Sequence, residues 1–299
     1  MDAPAVPPVI FALSLGPAVA WGFTPVIEKR ALSNGGRPLQ AALTVIVVDT
    51  VLYVLALLAR GEVPFVDLSA GTLAVFVAAG VFGTALGRIA IFAGNARVGA
   101  SVSSAVVSAR PLFATALAVG FLGEPVGLTT AVGVVVLVCG LAALSVAKGG
   151  DLAGWETRDL LVPLAAAVSF AVGNVLRRYG LGVGETTPLE AVALNEFAAL
   201  VALLAYVVAR GRRDVFTAPP RTYLVFAVSG VLTAGALLAM FTALSMPAGR
   251  VALVDPLIAT APLFTTVFSY FLLSDLERVT RGIVAGALLV VVGAALVTV

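Results

Sequence analysis

The sequence predicts an all-α membrane protein of about ten transmembrane helices, arranged as two five-helix inverted repeats. Three observations predict it. The first is composition: 61% of the 299 residues are hydrophobic and 11% are charged, against about 45–50% and about 25% in an average soluble domain. The second is a series of ten apolar runs, each near the ~20 residues that cross a bilayer as a helix. The third is a repeat that pairs the two halves of the chain.

The runs lie near 8–27, 39–59, 71–93, 100–122, 128–147, 160–180, 188–209, 222–245, 251–273 and 281–298. The breaks between them, such as "SNGGRP", "LGEPVG", "GVGETTP" and "RGRRDVFTAPPR", carry turn chemistry. Backbone groups in lipid must bond internally, so a span is a helix or a closed-barrel strand. Barrel strands alternate apolar and polar residues over about ten positions. These runs are continuously apolar and much longer, so they read as helices. The opening "MDAPAVPPVIFALSLGPAVAW" has no basic stretch before its apolar run, and it is expected to be a retained first span, not a cleaved signal.

The repeat appears when the chain is shifted by 150 residues. "RPLQAAL" from Arg37 meets "TPLEAVA" from Thr187, "ARG" at 59–61 meets "ARG" at 209–211, and Gly80-Val81 meets Gly230-Val231. One inserted residue makes the shift 151, and then Pro111-Leu112-Phe113 meets Pro262-Leu263-Phe264 and Glu124 meets Asp275. A shift of 149 lays Lys29 on Arg178. Five spans per repeat is an odd number, so the second repeat enters the membrane from the opposite side. That inverted topology is common in secondary transporters, whose substrate sites lie between the repeats. The expected organisation is a first repeat over 1–148, a linker over 149–159 and a second repeat over 160–299.

Trp21-Gly22 with Lys29, "GASVSSAV" before "PLFATALAVGFLGEP", and "GRVALVDPLIATAPLFTTVFSYFLLSD" in the second half resemble the EamA family of the drug/metabolite transporter superfamily. The resemblance covers nearly the whole chain. It implies a ten-helix inverted-repeat transporter of small metabolites, often an exporter or exchanger, and each half as an EamA-type repeat.

What is missing narrows the chemistry. There is no histidine and one cysteine, Cys139, and the only lysines are Lys29 and Lys148. This argues against Ser-His and Cys-His catalysis, His-based zinc sites, His-ligated haem and a buried-lysine Schiff base. No metal or other cofactor is expected. Cys139 reads as a small packing residue. The net charge of +2, without a basic run, does not suggest nucleic acid.

Ionisable residues at membrane depth are costly and usually face a partner or a water-filled cavity. Asp49, Arg88, Arg110, Glu196 and Asp255 stand inside spans. The candidate substrate-cavity residues are Arg110, Arg88, Ser103, Asn174, Asn195, Glu196 and Trp21. Ser103 is expected on the face of Arg110, and Pro111 is expected to kink that helix and free carbonyls. Thr84 and Asn95 share the face of Arg88. Asp49, Glu196 and Asp255 are candidates for proton coupling or for buried ion pairing. Asp255 also suits a helix N-terminus. Lys29, Arg177 and Arg178 read as interfacial cations at span ends, Glu124 and Asp275 as caps of the spans that follow them, and Trp155 as an interfacial anchor. "GIVAG" at 282–286 is a small-residue packing pattern, within the bundle or between two copies.

Loops after odd-numbered spans hold Lys29, Arg30, Arg37, Arg97, Lys148, Arg158, Arg210, Arg212, Arg213, Arg221, Arg278 and Arg281, and loops after even-numbered spans hold Arg60, Arg177, Arg178 and Arg250. Cytoplasmic loops carry the excess of Lys and Arg, which puts both termini outside. The expected protein is a multi-pass transporter in a prokaryotic plasma membrane, with amino acids or organic anions as favoured substrates and protons as a possible coupling ion. A non-transporting membrane scaffold or sensor, an ion channel and a membrane-embedded enzyme are the alternatives; monomer and homodimer both stay open.

Overall fold

The computed structural model describes residues 7–33, 35–66, 68–98, 103, 106–147, 156–184, 186–272 and 281–298. Every regular element among the described residues is helical. They are α1 (Pro8–Ser33), α2 (Pro38–Ala59), α3 (Ala70–Gly80), a π-helical segment (Val81–Leu86), α4 (Gly87–Val98), α5 (Arg110–Leu122), α6 (Leu128–Ala147), α7 (Leu161–Val183), α8 (Pro188–Ala209), α9 (Pro220–Ser245), α10 (Val251–Ile258), α11 (Ala261–Leu272) and α12 (Arg281–Thr298). Seven helical stretches are long and apolar enough to cross a membrane, while Arg110–Leu122, Leu128–Ala143 and Ala285–Thr298 are shorter apolar helices. Helix occupies each expected run, but ten full-length spans are not reached among the described residues.

The same local chemistry builds both halves. Pro38 and Pro188 open α2 and α8 in the first turn, where a missing N–H removes no helical bond. Arg60-Gly61 and Arg210-Gly211 close them, with Gly61 at φ 75° and Gly211 at φ 60°, a conformation glycine adopts without penalty. The loop after each of these helices is tied to the start of the other. Gln40 Nε2 donates to the Asp214 carbonyl at 2.8 Å, and Phe65 N donates to Glu190 Oε1 at 3.4 Å. Gln40 and Glu190 are 150 positions apart.

Helix packing obeys the same exchange. α1 packs on α9 and α7 on α3 and α4; α1 packs on α10 and α11 and α7 on α5; α2 packs on α9 and α8 on α3. α2 with α8, and α6 with α12, pair with their own repeat partners. The α6–α12 seam is backbone on backbone: a Cβ on Gly140 would sit 2.6 Å from Val290 N and 2.9 Å from the Gly286 carbonyl. Gly286 of "GIVAG" therefore serves packing within the bundle.

Several expectations are corrected. The fourth run is not a continuous kinked helix, and the ninth is interrupted in the same way. Turns at Ser108-Ala109 and Ala259-Thr260 precede α5 and α11, with Leu112 N bonded to the Ala109 carbonyl at 3.0 Å and Leu263 N to that of Thr260 at 2.9 Å. Pro111 stands in the first turn of α5, so it breaks no helical bond, and Ser103 lies beyond the turn from Arg110. Arg177 is not an interfacial cation. It is 5% exposed inside α7, which continues to Val183. Glu124 caps a helix, but that helix is α10 and not α6: its carboxylate accepts from Val251 N at 2.9 Å and Ala252 N at 3.0 Å. Cys139 faces outward. Lys148, Trp155 and Asp275, and the side chains of Lys29 and Asn95, lie outside what is described.

Outward positions along the helices, such as Val51, Leu55, Val201, Leu224 and Leu288, are exposed large hydrophobics. A soluble monomer rarely leaves such faces bare; lipid covers them. The interior holds the reverse: Asp49, Asn195 and Glu196 are 0% exposed.

Candidate functional site

The polar interior is organised around Arg177. Asn174 and Arg177 lie about one turn apart on α7, and Arg177 Nη1 donates to Asn174 Oδ1 at 2.6 Å. Arg177 Nε donates to Asn195 Oδ1 of α8 at 3.1 Å, and Nη2 donates to Thr84 Oγ1 of the π segment at 2.8 Å. Its guanidinium carbon stands 5.6 Å from the ring centroid of Phe241 on α9, within the range of a cation–π contact.

Two acids flank this hub. Glu196 Oε1 accepts from Asn195 Nδ2 at 2.9 Å and from Thr84 Oγ1 at 3.4 Å, while Oε2 is buried without a hydrogen-bond partner among the described residues. Asp255 of α10 accepts from Asn174 Nδ2 and from Arg110 Nε of α5 at 3.2 Å. The Arg110 side chain is 21% exposed and that of Asp255 2%. One connected network therefore joins helices from both halves of the chain.

The π segment is part of this geometry. π-bulges are frequent at functional sites. Here the segment carries Gly83, whose backbone meets Gly173 of α7 so closely that a Cβ would sit 2.5 Å from the Gly173 Cα. That contact brings Thr84 onto Arg177.

A cavity of about 220 Å³ lies against the network, lined by Trp21, Gly83, Thr84, Arg88, Arg110, Phe170, Asn174, Arg177, Glu196, Leu237, Met240 and Ile258. A second cavity, of about 340 Å³, shares Trp21 and Arg88 with it and adds Thr24, Glu28 and Thr233. A third, of about 370 Å³, shares Pro38 and Phe92 with the second and reaches Arg37, Tyr206 and Arg212. The three thus lead from the polar centre toward one end of the bundle, the Arg37 end. There Arg212 Nε and Nη2 donate to Asp214 at 2.9 and 3.0 Å, and Arg37 pairs with the same carboxylate. The Arg212 hydrogen bonds, then those of Arg37, hold this loop carboxyl down to about 2.

The opposite, Glu124 end is tied shut. Besides the two amides on Glu124, Arg178 Nη1 donates to the Leu244 and Met246 carbonyls at 2.5 and 2.9 Å, and its Nε is 3.8 Å from Glu124 Oε1. Arg250 Nη1 donates to the Pro125 carbonyl at 2.8 Å. The Glu124 and Arg250 bonds join the α5–α6 turn of the first half to the start of α10 in the second, and those of Arg178 tie α7 to the end of α9.

Of the sequence-predicted residues, Arg110, Arg88, Asn174, Glu196 and Trp21 line the central cavity. Asn195 and Asp255 hold the lining residues in place from behind. Ser103 is buried beside Gly94 and is not among the lining residues. Asp49 is fully buried on α2, with neither carboxylate oxygen hydrogen-bonded among the described residues. Sequence reasoning missed Arg177 as the hub. The available signal was Asn174, one turn before it on the same face.

Comparisons with known proteins agree with this architecture. A family model described as the EamA-like transporter family matches the chain twice, over residues 8–146 and 158–299. A solved structure described only as "Crystal structure of protein" superposes with a TM-score of 0.74 at 19% identity, covering 97% of this chain and 96% of that one. That likeness speaks for the fold alone. No curated protein matches the chain significantly.

Proposed function

This chain belongs to the EamA-like transporter family, and from that premise we propose that it is an alternating-access carrier of small metabolites, exporting or exchanging amino acids or organic anions. The observation that carries the reading is the central cavity. Its wall is built from both repeats, it is lined by hydrogen-bonded polar side chains inside an apolar bundle, and a further cavity meets it at Trp21 and Arg88. A structural polar core needs no cavity; a binding site does.

In this reading the two halves are five-helix repeats of opposite orientation, separated by a linker over 149–159, and the contact exchange described above supports it. The Glu124 end is the closed gate, and the Arg37 end is the open path. Asp49 and Glu196 are the candidate proton carriers, because both carboxylate oxygens of Asp49 and Oε2 of Glu196 are buried without a hydrogen-bond partner among the described residues. The membrane is a prokaryotic plasma membrane. Purified protein in proteoliposomes is expected to move at least one labelled amino acid or carboxylate down its gradient. A thermal-shift screen of metabolites separates this from a non-transporting scaffold or sensor. No ligand-induced stabilisation and no flux across a broad panel would sink the transporter reading for this chain.

A further inference from the structure

Three guanidiniums line the central cavity, and two are already engaged. Arg177 is held by Asn174, Asn195, Thr84 and the Phe241 ring. Arg110 is paired with Asp255. Arg88 makes no hydrogen bond and no ion pair with any described residue. It nevertheless sits within the apolar bundle on α4, half-buried, and with Trp21 it lines both the 220 Å³ and the 340 Å³ cavities.

A guanidinium has five N–H donors in a planar fork and no means of losing its charge. Leaving such a group unpaired away from bulk water is unfavourable. Glu28 on the side of the second cavity, and Asp49 and Glu196 toward the centre, lie within electrostatic reach of Arg88 without bonding it. They offset its charge and leave its donors without an acceptor among the described residues. The two cavities meet at Trp21 and Arg88, so these donors are presented to both, and the indole of Trp21 offers an apolar wall beside them. Both cavities are small, at or below the lower part of the ~300–1,000 Å³ range of drug-sized sites.

We infer that Arg88 is the residue that grips an anionic group of the transported metabolite, a carboxylate or a phosphate, at the passage between the two cavities, and that Arg110 is a positioning residue committed to Asp255. This rests on the transporter reading and reassigns the anion receptor within it. A planar fork matches two oxygens of a carboxylate or phosphate at once, so discrimination between an acid and its uncharged isostere is set at Arg88.

The test uses the purified full-length protein and ligand pairs that share a body and differ at the anionic group: benzoate and benzamide, N-acetyl-leucine and N-acetyl-leucinamide, which are near-isosteric, and glycerol 3-phosphate and glycerol, which lose the phosphate whole. In a thermal-shift assay the acid of at least one pair is expected to stabilise the wild type, and its neutral partner not to. Arg88→Gln is expected to weaken that acid by about 10- to 100-fold, the loss of a charge-assisted contact, and Arg88→Lys to weaken it less. Arg110→Gln is expected to lower the baseline melting temperature and to weaken the acid less than Arg88→Gln does. Arg88→Lys guards against misfolding of the glutamine variant, and elution of each variant as the wild-type species is checked by size exclusion. Equal stabilisation of wild type by both members of every pair, or an undiminished acid response in Arg88→Gln, overturns the proposal. Flux of neutral metabolites in proteoliposomes with no response to any acid overturns the role of Arg88 and leaves the transporter reading standing; no flux and no binding of any kind overturns both.

Discussion

Arg177 and Arg178 are neighbours in sequence, but successive helical residues point about 100° apart. One reaches into the centre and the other across to the end of α9. That split is why one sequence signal covers two roles. Two adjacent arginines near the end of an apolar run look like a pair of interfacial cations, and nothing local says which one turns inward. Arg110, Asp255, Glu196, Asn174 and Asn195 were legible because charged and amide groups inside apolar runs demand partners. Thr84 was legible only as a neighbour of Arg88, since its role depends on the π segment and on a glycine contact made by another helix. A prediction follows for the Arg110–Asp255 pair. Arg110→Ala leaves a nearly buried carboxylate beside the cavity without its cation. Breaking a buried pair from one side costs about 3–5 kcal/mol, and the partial exposure of Arg110 puts the expected loss below that range. Arg110→Ala should therefore lower thermal stability in detergent and abolish transport, while Arg110→Ala with Asp255→Asn should recover most of the stability and part of the flux. A double variant as unstable as the single one would show that the pair is not what Arg110 contributes.

At the scale of elements, the chain's glycines sort into those that set helix distances and those that do not. Gly83 against Gly173 fixes the π segment on α7, and a Cβ on Gly83 would also come 3.2 Å from Arg177 Nη2. Gly140 fixes α6 on α12, away from the polar network. Gly120, in α5, has nothing within 4 Å of its would-be Cβ. Gly83→Ala should lower the melting temperature and also weaken ligand binding, because it displaces the arginine hub. Gly140→Ala should lower the melting temperature and leave binding of the same ligand intact. Gly120→Ala should match or slightly exceed the wild type, since alanine is favoured over glycine in a helix by roughly 1 kcal/mol. Melting curves with and without ligand read all three, and a Gly140→Ala protein that loses binding would contradict this division of labour. The "PLF" match at 111–113 and 262–264 was legible as a feature shared by the two halves, but a proline bend was the wrong mechanism for it: turns before α5 and α11 make each proline a helix starter. Periodicity cannot distinguish a kink from a restart, because both keep the run apolar.

Over the whole molecule, the repeat that was visible as an offset of about 150 residues returns as an exchange of packing partners, and the two ends differ. One end is tied by Glu124, Arg178 and Arg250; from the other, cavities lead to Arg88. In the alternating-access reading proposed above, the other state has to release the Glu124 end by breaking these bonds. Glu124→Gln removes the charge and one of the two acceptors that hold Val251 N and Ala252 N, while the opposite end is untouched. The expected result is a shift of population toward opening at the Glu124 end. It can be read with a membrane-impermeant maleimide on single cysteines placed at Ala248, in the tied loop, and at Ala93, in the wall of the cavity at the Arg37 end. The exposed Cys139 must first be replaced by alanine. In Glu124→Gln the Ala248 cysteine should label faster and the Ala93 cysteine more slowly, whereas a static bundle would change only the first, and a seal not held by Glu124 would change neither. The same two cysteines report orientation. Arginines crowd the loops of the Arg37 end, including Arg210, Arg212 and Arg221, so that end should be cytoplasmic. The Ala93 cysteine should then label in inverted vesicles and the Ala248 cysteine in intact cells. The reverse pattern would turn the open path outward and make the described state the outward-facing one, with the latch argument unchanged.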